Sequence, residues 1–172
     1  MFETVLRAVR LLSMVAWVGG LIFFAFVVAP TAFHLLPSAH EAGLVVGGTL
    51  RTLHGIGLIG GAAFVLSTAI LWFRAEVPAR VGFAICISLT AIMIAITAYS
   101  QYVILPSMEN DRVAAGGAVE TADIENPGRV DFERLHVISE RLEGLVLLCG
   151  LGVVLVLSRE SQWPETGKIR QI

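Results

Sequence analysis

Two stretches of this chain carry no charged residue at all, Leu11 to Pro30 and Val81 to Leu105. A helix needs roughly 20 mostly apolar residues to cross a hydrocarbon core about 30 Å thick. Only helices and closed barrels satisfy every backbone group there. Leu53 to Phe73 is a third such run, broken by a single titratable group, His54. The fourth, Gly144 to Ser158, is only 15 residues long. At about 1.5 Å of rise per residue it covers some 22 Å, which is too short alone. That helix must begin earlier, near Phe132, and it carries His136, Glu140, Arg141 and Glu143 into the headgroup zone or the bundle. The expectation is an all-α membrane protein: one domain of four transmembrane helices over about 11–30, 52–73, 81–105 and 132–158, arranged as an up-down bundle. An acidic outer loop fills 107–130.

Composition agrees with lipid as the main partner. The chain is 56% hydrophobic and 15% charged, whereas soluble domains carry about 25% charged residues. A formal net charge of −2 gives no reason to expect a nucleic-acid partner. The 2 cysteines, Cys86 and Cys149, lie inside apolar runs and read as small buried thiols. Arg7 and Arg10 precede the first span as they would in a signal peptide. The apolar core behind them exceeds the usual 7–15 residues, so it reads as a retained helix.

Charge orients the bundle, because Lys and Arg gather in short cytoplasmic loops. The N-terminus, the second loop and the C-terminus hold Arg7, Arg10, Arg74, Arg80, Arg159, Lys168 and Arg170 against four acids. The other face holds five arginines against ten acids. Both termini are therefore expected in the cytoplasm of a bacterial cell, with the protein in the inner membrane. His34, His40, His54 and His136 fall on or near the opposite face.

The two halves echo each other, either as a parallel two-hairpin pseudo-repeat of the kind found in some transporters or because proline and histidine recur at helix ends. Val27-Val28-Ala29-Pro30 closes the first span and Val103-Ile104-Leu105-Pro106 the third. Leu53-His54 opens the second span and Leu135-His136 the fourth. On this register His54 and His136 stand at matching depth and face each other.

The candidate site residues follow from that geometry. His54 lies one turn inside its span with Arg51 a turn before it, on a helix rich in glycine at Gly55, Gly57, Gly60 and Gly61. It reads either as a ligand or proton-handling histidine, or as an interfacial one bonded to water or a carbonyl. His136, Glu140 and Glu143 recur at i, i+4 and i+7 and share a helix face. Imidazole and carboxylate heads on one stripe bind a divalent metal, or pair with Arg51, Arg112 and Arg129; both readings stand. His54 and His136 together would bracket a haem iron or share one metal, with Arg51 neutralising a propionate. No Ser-His-Asp triad, phosphate loop or HExxH motif is present.

Several motifs together resemble a known family. These are Trp17-Val18-Gly19-Gly20 leading to Ala29-Pro30 and Phe33, Ala42-Gly43 with Gly47, and Leu105-Pro106-Ser107-Met108. Phe132 through Leu135-His136 with Ser139 also belong, and Arg141-Leu142-Glu143-Gly144 looks like the bacterial branch. The chain resembles the transmembrane protein 205-like family, catalogued as domain of unknown function 4149. It is more distantly similar to CopD-type copper-resistance proteins and to haem-binding protoporphyrinogen oxidases of four-helix type. The resemblance implies a membrane protein without an agreed activity; a hint of metal handling attaches to the animal member, and haem b to the distant relatives. The expected function is a metal or haem site around His54 and His136, in a protein that leans away from being an enzyme. The alternative is an accessory subunit docking through its glycine-rich helices onto other membrane subunits or a second copy.

Overall fold

The computed structural model describes residues 1–75 and 77–160, with backbone only for 77–79. Among the described residues six α-helices run in order: α1 Phe2–Phe23, α2 Ala29–Leu35, α3 Ala39–Arg74, α4 Val77–Tyr99, α5 Leu105–Ala114 and α6 Pro127–Glu160. A π-helical turn, Phe24–Val28, joins α1 to α2, and another, Ser100–Ile104, joins α4 to α5. Four continuous rods result, each long and apolar enough to cross a membrane: Phe2–Leu35, Ala39–Arg74, Arg80–Ala114 and Pro127–Glu160. The protein is thus an all-α, four-helix membrane bundle, in which α1 packs on α3 and α4 on α6 as two antiparallel hairpins.

The rods outlast the apolar runs. At about 1.5 Å per residue a rod of 34 to 36 residues spans roughly 50 Å, well beyond the hydrocarbon core. The polar ends stay helical in the headgroup zone, where water and lipid phosphates solvate side chains without breaking the backbone ladder. The acidic segment 107–130 is accordingly helix as far as Ala114, followed by a turn at Gly116 and Gly117, whose φ values of 91° and 98° suit residues lacking Cβ. Asn126 caps α6, accepting from the backbone N–H of Gly128 and Arg129 ahead of a first-turn proline. Ser38 does the same for α3 through the N–H of Glu41.

Both π turns have a cause in sequence. Pro30 and Pro106 sit at the second position of α2 and α5. A proline ring collides with the carbonyl four residues back and leaves it without a donor. Widening the preceding turn removes the collision and keeps the rod continuous.

The outer surface is rich in exposed apolar side chains, Phe26, Ile59, Phe73 and Leu148 among them. The interior closes around Trp17, which is 1% exposed and lies against Gly57 and Gly61 of α3. Bare glycine surfaces let helices approach closely in a medium where hydrophobicity gives no drive to associate. A methyl at Gly61 would stand 2.5 Å from Trp17 Cζ3 and 2.9 Å from Ile94 Cγ1. Gly61→Ala is therefore expected to cost about 1–3 kcal/mol by overpacking. The check is a lower melting temperature in detergent, partly restored when Trp17→Phe is added. Cys86 is buried, Cys149 half-buried, and both are free thiols.

Candidate functional site

His54 is completely enclosed, at 0% exposure, in the half of the bundle nearer the interhelical loops. Three rods meet it. Its Nδ1 lies 3.1 Å from Gln101 Oε1 on the second π turn, and its Nε2 lies 2.8 Å from Glu143 Oε1 on α6. The Pro106-induced turn carries Gln101, so a proline one turn away helps to aim the amide at the imidazole. Of the His54–Glu143 pair, Glu143 is the more accessible member, 15% exposed.

The hydrogen-bond chemistry of this trio is amphoteric. Both oxygens facing the ring accept, so the ring donates from both nitrogens as an imidazolium beside a carboxylate. With Gln101 turned end for end, its N–H donates and a neutral ring suffices. A carboxylic acid donating to Nε2 gives a third arrangement. In the first and third, one proton passes between Nε2 and Oε1 with no change in the net charge of the pair. That combination suits a buried location, because no isolated charge is left in a medium of low dielectric constant.

Several oxygens at the same depth lack partners. Glu143 Oε2, Ser100 Oγ and Thr97 Oγ1 are buried without a hydrogen bond among the described residues, as is Thr90 Oγ1 farther along α4. Ser100, Thr97 and Thr90 are all 0% exposed. Hydroxyls in membrane helices commonly bond to the carbonyl four residues back, as Thr68 does to Phe64 O at 2.7 Å. Thr90 and Thr97 of α4 and Ser100 of the second π turn make no such bond, and so keep donor and acceptor capacity.

The other residues singled out by sequence lie elsewhere. His136 is 48% exposed, stacked on Phe132 and 3.3 Å from the 67%-exposed Glu140. Two pairs thus exist, His54–Glu143 inside and His136–Glu140 outside, and the structure does not bring the two histidines into one site. Among the described residues no group of three or more His, Cys, Asp and Glu is placed to hold a metal ion. Arg51 is exposed, whereas His54 is buried. Arg112 and Arg129 pair within their own helices, with Glu109 and Glu133. A haem between the two histidines does not fit this arrangement, since both His54 nitrogens are engaged by protein and His136 lies on the surface.

A second buried polar cluster occupies the opposite end. Arg10, 2% exposed, makes a bidentate ion pair with Glu160 at 2.8 and 2.9 Å. Its guanidinium also lies 5.4 Å from the Phe64 ring centroid and 5.0 Å from that of Phe83. Between the clusters runs an apolar layer that includes Trp17, Met93, Val146 and Val153. Sequence reasoning missed Gln101 and the Arg10–Glu160 pair. Gln101 had a signal, being an amide inside an otherwise uncharged span.

A family described as Domain of unknown function (DUF4149) matches residues 12–114. The chain belongs to that family. The match takes in the first rod from residue 12 onward and the whole of the second and third, with His54 and Gln101, and stops before α6 supplies Glu143. No curated protein and no solved structure matches the chain.

Proposed function

We propose that this protein handles protons inside the membrane, taking up and releasing one at the His54–Glu143 pair. The observation that carries the reading is a fully buried imidazole with a carboxylate on one nitrogen and an amide on the other, beside three unpartnered oxygens. Intramembrane ionisable groups that face the bundle interior mark proton or ion routes in membrane proteins. Glu143, the partly accessible member, exchanges protons with the loop side, where Ser139 lies one turn outward at 5% exposure. His54 receives the proton at Nε2, and the hydroxyls of Ser100 on the second π turn and of Thr97 and Thr90 on α4 offer steps deeper into the bundle. A proton fits this set better than a metal, because His54 presents no free nitrogen.

The positive bias of the terminal end favours an inner-membrane protein with both termini cytoplasmic; Lys168 and Arg170, which add to that bias, lie outside the described residues. On that orientation the pair opens toward the outer face. The test uses purified protein in vesicles enclosing a pH-sensitive dye. An imposed pH gradient is expected to decay faster with the wild-type chain than with Glu143→Gln or His54→Gln. Equal decay for all three would remove the proposal. A second reading, an accessory subunit, draws on Gly43 and Gly47, which are four apart on α3 and meet nothing within 4 Å. It expects equal decay together with co-purification of a membrane partner.

A further inference from the structure

We infer that the chain is a duplicated hairpin folded about a two-fold axis, and that His54 and Glu143 are equivalent positions meeting at that axis. The Leu-His echo suggests a different register, pairing His54 with His136, but these differ completely in burial. Laying Pro30 on Pro106, a shift of 76 positions, places the π turn Phe24–Val28 residue for residue on the π turn Ser100–Ile104. The local sequences then read alike, with Phe23, Phe26, Val27 and Thr31 over Tyr99, Tyr102, Val103 and Ser107. The interior face agrees too: Leu6, Arg10, Met14, Trp17 and Leu21 fall on Gly82, Cys86, Thr90, Met93 and Thr97, all buried.

The second rod of each hairpin matches at a shift of 89, the separation between His54 and Glu143. Leu53, Gly55, Leu58 and Gly61 then fall on identical residues at Leu142, Gly144, Leu147 and Gly150. Leu50, Gly57, Gly61 and Phe64 fall on Ser139, Val146, Gly150 and Val153, each buried in both copies. Of the 13 positions by which the two shifts differ, 9 lie in the connections and the other 4 lengthen the end of α5 and the start of α6. Leu36–Ser38 joins α2 to α3, whereas the longer segment from Ala115 to Asn126 joins α5 to α6. One helical face can match another by periodicity alone, but coincident π turns, prolines and glycine contacts do not follow from periodicity.

In a two-fold assembly a residue touches its own equivalent only at the axis. His54 Nε2 and Glu143 Oε1 are 2.8 Å apart, so the axis passes through the proposed proton site. Identical ionisable residues there would repel when charged; a base in one copy and an acid in the other neutralise each other. The equivalent of Gln101 in the first copy is Ala25, so only one ring nitrogen of the pair has an amide partner.

The inference does not rest on proton handling, and its test reads stability alone. Full-length variants are melted in detergent: His54→Glu, Glu143→His, the double exchange, and the exchange plus Ala25→Gln. Each single places two like groups at the axis and lowers the melting temperature. The double exchange restores the acid–base pair at equivalent positions and is expected to recover at least half of the loss of the poorer single. Gln101 accommodates it, because an amide donates to a carboxylate as readily as it accepts from an imidazole. Ala25→Gln gives the relocated imidazole its own amide, so the triple variant melts no lower than the double. A double exchange at or below the poorer single, or one that fails to fold when both singles fold, overturns the inference. A triple variant that melts below the double overturns the register of the π turns.

Discussion

Glu143→Leu is expected to destabilise the bundle by about 1–3 kcal/mol, the usual loss when a buried polar group is left without its partner. His54 then keeps Gln101 on Nδ1 but faces a leucine at Nε2. The cost stops short of that for a stranded charge, since the imidazole can release its proton and remain as a neutral ring. Glu143→Gln keeps an acceptor at the same place and is expected to cost less than Glu143→Leu while still abolishing proton exchange. Thermal unfolding of the two variants in one detergent checks the order. Equal stability of Glu143→Leu and wild type would mean that the His54 contact contributes nothing to folding.

Much of this architecture was legible because lipid imposes a coarse constraint. Uncharged runs of 20 or more residues admit few structures, and the four rods lie where those runs predict them. Rod ends were less legible, since apolarity marks where a helix meets hydrocarbon and says nothing of where it stops in the headgroups. His54 stood out as one titratable group in a glycine-rich span, and it is completely buried. The stripe His136, Glu140, Glu143 was sound as helix geometry but silent on depth. His136 and Glu143 are seven residues apart, about 10 Å along the axis. At Glu143 that line is enclosed by neighbouring rods, and at His136 it emerges at the surface. The helical wheel carries angle, whereas the depth at which neighbours cover a face depends on how all four rods pack.

Arg10 shows the same limit from the other side. Read along the chain it is one of the positive residues that orient the protein, and nothing local distinguishes it from Arg7. In the fold it is the more buried of the two, because it continues the inward line of Ser13, Met14 and Trp17. Its partner Glu160 is 150 residues away, a separation at which sequence pattern gives no pairing signal. The consequence is the largest single effect expected here. An arginine cannot discard its charge as a histidine can, so Glu160→Leu leaves a guanidinium at 2% exposure without its carboxylate. Removing one member of such a pair typically costs 3–5 kcal/mol, roughly twice the Glu143→Leu figure. The rings of Phe64 and Phe83 retain part of the attraction. Replacing both members, as Arg10→Met with Glu160→Leu, removes charge and countercharge together and is expected to recover most of the stability. Melting curves of the two singles and the double complete the cycle. A Glu160→Leu cost below about 1 kcal/mol would show that the Arg10 side chain reaches headgroup phosphates instead, which its long stem permits at a helix end.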